Sequence, residues 1–105
     1  MTESEAMDYV TDRGERHGLS FDQVMDMVPD TISHDVVKSA MFIEDKHISH
    51  IMAQSTHPEL AQDPSNMILE DPEPNMERGA DPMSPIEEFV AHIDNYCDSL
   101  GLMFA

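Results

Sequence analysis

Hydrophobic residues recur every three or four positions over long parts of the chain, a spacing that predicts α-helices with one buried face. Four stretches show this spacing, at about residues 3–17, 21–28 and 30–54 and from residue 85 onward. Thr2, Ser20 and Ser84 precede three of the stretches, each with Glu or Gln three residues later, which is the capping-box spacing of a helix start. Because no stretch alternates convincingly in the manner of a β-strand, the pattern predicts an all-α fold.

The fourth predicted helix has the clearest apolar face in the chain. Its apolar residues are Ile86, Phe89, Val90, Ile93, Cys97 and Leu100. This face either completes the core or docks on a partner, and the sequence leaves both open. Gly101 stands where a left-handed residue commonly ends a helix, so we expect residues 102–105 to form an apolar tail.

The composition changes between the third and fourth helices. Six of the seven prolines lie between His57 and Pro85, among acidic residues, and such sequence buries too little apolar area to offset the entropy of ordering it. Within it, the apolar residues 67–69 are expected to dock on the helical core or on a partner. The chain is therefore divided into a helical partner-binding domain at 1–56, an acidic Pro-rich linker at 57–84 and an amphipathic helix with its tail at 85–105.

The charge balance narrows the possible partners. The chain has 105 residues, of which 22 are acidic and 5 are Lys or Arg, for a formal net charge of -17. Such a charge repels phosphates and anionic lipid surfaces, so we expect no direct nucleic-acid binding and no membrane association. Either the acids merely solvate the surface, or their field steers the chain toward basic protein surfaces.

The cysteine content and the N-terminal sequence bear on the compartment. Residues 1–10 lack the basic start and apolar core of a signal peptide, and the single Cys97 excludes an intrachain disulfide. We therefore expect a reducing, intracellular setting.

Residues that could carry chemistry are few. Glu44, His47 and His50 would lie along one side of a continuous helix, a spacing that suits a transition metal in a helical bundle. A second matching motif is missing, so we expect a polar helix face and no metal. Cys97 is expected to be inert packing, and no phosphate loop, nucleophile elbow or paired zinc cysteines occur. The sequence thus predicts a non-enzymatic protein without a cofactor.

The first half of the chain, about residues 4–48, resembles the small late-transcription coactivators of large tailed phages. The likeness rests on the order of three segments, SEAMDYV, HGLSFD and VMDMV. Pro29 follows the third segment, and apolar residues come three, seven and eleven positions later, much as in that family: Ile32, Val36 and Ala40.

Members of that family bridge host RNA polymerase to the phage sliding clamp and clasp the flap of the polymerase β subunit with their helical part. The resemblance implies that flap contacts are made by Met7, Val10, Leu19, Phe21, Val28, Val36, Val37 and Met41. It also implies that the protein works in the cytoplasm of an infected bacterial host.

The C-terminal segment carries a second likeness. Residues 99–104, Ser-Leu-Gly-Leu-Met-Phe, look like the short apolar peptides that fill the hydrophobic pocket of sliding clamps. This likeness implies that the clamp contacts are Leu100, Leu102, Met103 and Phe104. The alternative is that the last three of these residues fold back onto the fourth helix.

The sequence therefore predicts a transcription accessory protein that links RNA polymerase to a sliding clamp. The alternative is an acidic inhibitor that imitates DNA and occupies the basic groove of a nuclease or host defence complex. DNA mimicry requires carboxylates in two rows at phosphate-like spacing. The coactivator requires an exposed apolar groove or stripe on the first three helices.

Overall fold

A computed structural model describes residues 1–52, 57–78 and 81–104, and in these residues it has five α-helices and two β-strands. The elements in chain order are α1 (Glu3–Glu15), α2 (Phe21–Met25), α3 (Val36–Glu44), β1 (His47–His50), β2 (Met67–Glu70), α4 (Pro72–Arg78) and α5 (Pro85–Met103). Two short 3₁₀ turns, Pro58–Leu60 and Pro64–Asn66, precede β2. None of the helices in these ranges is long and apolar enough to cross a membrane.

The two strands form an antiparallel sheet, so the prediction of an all-α fold is wrong. The fold is mixed α/β, although mostly helical. The helix predicted over 30–54 is also wrong, because α3 begins only at Val36, ends at Glu44 and is followed by β1. Ile48 pairs with Leu69 in the centre of the sheet. A short apolar run fits a helix turn or a buried strand equally well, and only the distant pairing partner decides between them.

The segment 57–84 contains regular structure in its described part, which differs from the expected linker. The apolar residues 67–69 form β2 and pack within the protein, which is one of the two alternatives that the sequence left open. Met67 and Leu69 join the main core, while Ile68 forms a second cluster with Met83 and Ala91. Backbone hydrogen bonds to β1 order this part of the segment, and the composition of the segment does not reveal such a pairing. The division of the chain into three regions stays a prediction.

The main core lies between α1, α2, α3 and the sheet. Its fully buried side chains include Val10, Val24, Ile32, Phe42 and Ile43. The approach of α2 to α1 requires a glycine at position 14. A Cβ on Gly14 would lie 2.7 Å from the carbonyl oxygen of Leu19 and 2.9 Å from Cγ2 of Val24.

Lys46 forms ion pairs that connect three segments of the chain beside this core. Its ammonium group lies 2.6 Å from carboxylate oxygens of both Asp71 and Asp98, and the side chain is only 3% exposed. Burial lowers the pKa of Lys46, but the hydrogen bonds to the two aspartates outweigh burial and raise this pKa above its ordinary value. The pair of contacts therefore joins the start of β1 to the end of β2 and to α5.

Helix α5 packs against the rest of the molecule through an unexpected face. Its buried residues are Ala91, Asn95 and Ser99. The side-chain amide of Asn95 donates to the carbonyl of Leu69 at 2.6 Å, and the hydroxyls of Ser99 and Thr31 lie 2.6 Å apart. The helix also continues through Gly101 to Met103, so the predicted termination at Gly101 is wrong.

Candidate functional site

A surface cleft between α1, α2 and the start of α3 gathers four of the residues predicted to bind RNA polymerase. The cleft has a volume of about 410 Å³. Its apolar lining consists of Met7, Phe21, Val36 and Val37. Its polar lining consists of Glu3, His34 and Asp35. The cleft therefore combines four apolar side chains with two carboxylates and an imidazole, a mixture that suits contact with another protein.

Helix caps place two of these apolar residues at the cleft. The hydroxyl of Ser20 accepts a hydrogen bond from the backbone N–H of Gln23 at 3.2 Å, so α2 begins at Phe21. The carboxylate of Asp35 accepts from the backbone N–H of Val37 at 3.0 Å, so α3 begins at Val36. Both apolar side chains therefore stand in the first turn of a helix, beside α1.

The other residues predicted to contact the flap lie elsewhere. Val10, Leu19 and Val28 are buried in the core, where they support the fold. Their contact with a partner stays a prediction. Met41 is exposed on α3 but does not line the cleft. A resemblance in apolar spacing marks core and surface positions alike, because both require large apolar residues.

The predicted clamp-binding residues lie at the end of α5. Leu102 and Met103 are half-buried and pack against the main core, and Leu100 is half-buried as well. The ammonium group of Lys38 donates to the carbonyl of Met103 at 3.1 Å. Phe104 is 81% exposed. The residues form neither a free tail nor a fold-back onto the helix, because α5 itself extends to Met103.

The residues considered for metal binding are separated by the fold. His47 and His50 lie on β1, where residues three apart point to opposite faces, whereas Glu44 ends α3. Among the described residues, no group of three or more His, Cys, Asp or Glu is arranged to hold a metal ion. Asn75 contacts Nδ1 of His47 at 3.1 Å and accepts from the Ser49 hydroxyl at 2.8 Å, so this region is a polar network.

The apolar face of α5 is exposed, and the sequence pattern had left its location open. Phe89 is 66% exposed, and four further large apolar residues of the helix are also exposed: Ile86, Val90, Ile93 and Tyr96. Cys97 lies on this surface and is exposed, which corrects its expected burial. The predicted site residues did not include this face, although its three- and four-residue spacing was visible in the sequence.

A second groove runs between the α2–α3 connection and α5. Its volume is about 700 Å³, and acidic residues at its walls include Asp26, Asp30 and Glu88. Within the described ranges, the Oδ1 atom of Asn95, a residue at its wall, is buried without a hydrogen-bond partner. An unpaired buried acceptor costs stability, so the α5 inner face is imperfectly matched to its neighbours.

Comparison with known proteins identifies no related family. No protein-family model, curated protein or solved structure matches the chain. The functional interpretation therefore depends on the sequence pattern and on the geometry described above.

Proposed function

We propose that the protein is a transcription accessory protein of the late-transcription coactivator type, which binds host RNA polymerase in an infected bacterium and links it to a sliding clamp. The observation that carries the proposal is the cleft lined by Met7, Phe21, Val36 and Val37. These four residues come from three helices, and they are half of the set that the resemblance assigns to flap binding.

The charge distribution supports a protein partner of this kind. Acidic groups at Glu3 and Asp35 lie beside the apolar residues of the cleft, and the whole chain carries a formal charge of -17. A partner surface with an apolar centre and basic rim would gain hydrophobic contact and electrostatic steering together. The same charge disfavours direct binding to DNA. The protein would therefore reach promoter complexes through polymerase.

Clamp binding requires a local rearrangement at the end of α5. A clamp pocket needs an extended apolar peptide, whereas Leu102 and Met103 pack against the core and Lys38 holds the last turn. Phe104 is already exposed. We therefore propose that the last turn unwinds when the clamp engages Phe104. Unwinding would break the Lys38 contact and expose Leu102 and Met103, so the free energy of clamp binding must offset the loss of these contacts.

Polymerase binding is tested with the full chain and a purified flap domain of the β subunit. Met7→Asp places a charge among the apolar residues of the cleft at an exposed position, and we expect the affinity for the flap domain to fall at least about tenfold. Met76→Asp is the matched control, because Met76 is exposed on α4 outside the cleft. Failure of the wild-type chain to bind, or equal binding by Met7→Asp, would contradict the proposal.

Clamp binding is tested separately by removing residues 102–105. We expect the truncated chain to lose clamp binding and to keep its affinity for the flap domain. Phe104→Ala is the milder variant, since Phe104 is exposed and its loss leaves the core contacts of α5 intact. Retention of clamp binding by the truncated chain would show that the tail is not the clamp ligand.

A further inference from the structure

We propose that the outer face of α5 binds an amphipathic helix of a partner protein, one whose apolar stripe is bordered by Lys or Arg. The outer face is the set of exposed residues Ile86, Phe89, Val90, Ile93, Tyr96 and Cys97. This surface lies on α5, whereas the cleft of the proposed function is formed by α1, α2 and α3. The two sites are therefore separate and can be tested independently.

The spacing along the outer face is that of helix pairing. Ile86, Ile93 and the half-buried Leu100 are seven residues apart, and so are Phe89 and Tyr96. A seven-residue repeat keeps one apolar stripe facing a neighbouring helix along its length. Single exposed apolar residues are common on proteins, but a contiguous stripe over a 19-residue helix marks an interaction surface.

The orientation of α5 is held by polar contacts on its inner face. Asn95 donates to the carbonyl of Leu69, Ser99 contacts Thr31, and Asp98 binds Lys46. Rotating the helix to bury its outer face would break all three contacts. The outward position of the apolar stripe is therefore a property of the folded chain.

The charge of α5 indicates which kind of partner helix would bind to its outer face. The sequence of α5 contains no Lys or Arg, and its acidic residues are Glu87, Glu88, Asp94 and Asp98. Asp98 is paired with Lys46, and Glu87 lies 3.5 Å from Arg78, so Glu88 and Asp94 supply the negative charge that a basic partner would meet. Elsewhere in the chain, four of the five Lys and Arg residues make hydrogen bonds or ion pairs within the fold: Arg13, Lys38, Lys46 and Arg78. Basic borders on a partner helix would be attracted to this surface.

The same charges disfavour a second copy of the chain as the occupant. Pairing two α5 helices would bring together two segments that each contain four acidic residues and no Lys or Arg, between chains that each carry -17. Like charges juxtaposed at an interface oppose association. A basic helix offers the same apolar contact without this repulsion.

The test uses the full chain and a synthetic amphipathic peptide of about three heptads, with Leu in its apolar stripe and Lys along both borders. A matched peptide carries Glu in place of Lys. Binding is measured by calorimetry at low and high salt, because salt screens the exposed charges. We expect the Lys peptide to bind, the Glu peptide to bind at least about tenfold more weakly, and salt to weaken the Lys complex.

A stripe variant separates apolar contact from simple charge attraction. Phe89→Ser combined with Ile93→Ser keeps every charge, and we expect it to lower affinity for the Lys peptide at least about tenfold. Met76→Ser is the control, because it removes an exposed Met that is 72% accessible on α4. Met7→Asp should bind the peptide as the wild type does, which separates this inference from polymerase binding.

Three results would overturn the inference. The first is absence of binding by the wild-type chain, and the second is equal affinity of the stripe variant and the wild type. The third is sedimentation equilibrium showing a wild-type dimer that the stripe variant dissociates, since a second copy would then cover the face. Thermal unfolding verifies that the variants fold. Ile86→Ser, also at an exposed position, replaces the double variant if the latter unfolds.

Discussion

Helices α3 and α5 are both amphipathic, but they meet the rest of the molecule with different kinds of side chain. The residues that α3 buries are Ser39, Ala40, Phe42 and Ile43. The residues that α5 buries are Ala91, Asn95 and Ser99. The largest apolar side chains therefore lie inside the protein on α3 and outside it on α5.

The difference shows what an apolar face in a sequence can and cannot indicate. Such a face indicates that the residues will be buried, but it does not indicate whether the same chain or a partner buries them. Burying a Phe or Ile side chain gains about 1.5–3 kcal/mol. On α3 this gain stabilises the folded chain. On α5 the side chains of the outer face are exposed, so the same gain is available on association with a partner. The helix is held by hydrogen bonds, by the ion pair between Asp98 and Lys46, and by the packing of Leu102 and Met103 against the main core.

The largest expected difference in stability is between two variants that each truncate one aromatic residue, one on α3 and one on α5. Phe42→Ala removes a buried ring and should lower the free energy of unfolding by about 3–5 kcal/mol. Phe89→Ala removes an exposed ring and should change it by less than about 0.5 kcal/mol. Urea denaturation of both variants measures the contrast. A large loss for Phe89→Ala would mean that the outer face is covered within the protein.

Glycine substitutions extend the comparison to backbone packing. Gly14→Ala places a methyl group 2.7 Å from the Leu19 carbonyl oxygen and should cost about 1–3 kcal/mol of stability. Gly101→Ala meets no atom within 4 Å inside α5 and should stabilise by about 0.5–1 kcal/mol, because Ala favours helix more than Gly. Opposite shifts of the thermal midpoint are expected. A stabilising Gly14→Ala would contradict the close packing of α1 and α2.

Removing the Lys46 ammonium group tests what holds α5 to the core. Lys46→Met should cost about 1–2 kcal/mol, less than a fully buried pair, because Asp71 and Asp98 are 45% and 53% exposed and regain water. The pKa of Lys46 is raised in the folded state, so its contribution is present below 10.5 and is lost as pH rises through the folded value. The stabilities of wild type and variant should therefore converge in alkaline urea titrations, and a constant difference would argue against the ion pairs.

A smaller loss of stability than that of Lys46→Met is expected at the N-terminus of α5. Ser84→Ala removes the cap and should cost about 1 kcal/mol. Hydrogen bonds with the backbone N–H and the hydroxyl of Ser84, together with the nearby Arg78, lower the pKa of Glu87. Its contribution is therefore present above its ordinary pKa of 4.5 and is lost as pH falls through the folded value. Glu87→Gln should flatten this acid dependence in thermal unfolding. An unchanged dependence would assign it to other carboxylates.

Several local features were predictable because neighbouring residues determine them. Thr2, Ser20 and Ser84 cap α1, α2 and α5 as their spacing predicts, since a capping box needs only residues three apart. The strand at residues 47–50 was not predictable in this way. Its hydrogen bonds go to residues 67–70, and the intervening sequence gives no sign of the pairing.

Only part of the candidate surfaces was predictable from the sequence. The resemblance to the coactivator family assigned Met7, Phe21, Val36 and Val37 to partner binding, and the fold brings these four residues to one cleft. Spacing did not separate them from Val10, which is buried, because both kinds of position carry apolar residues. The sequence shows the outer face of α5 as an apolar stripe, but it does not show whether this stripe faces the core or the solvent.

By itself, the sequence determined the acidic charge, the starts of three helices and the existence of an apolar stripe over residues 86–100. Each of these depends on residue type or on neighbours within one or two helical turns. The tertiary structure decided that residues 47–50 pair with 67–70 and that α5 turns its stripe outward. Those outcomes depend on contacts between distant segments, above all Asn95 with Leu69 and Lys46 with Asp98, which no local pattern specifies.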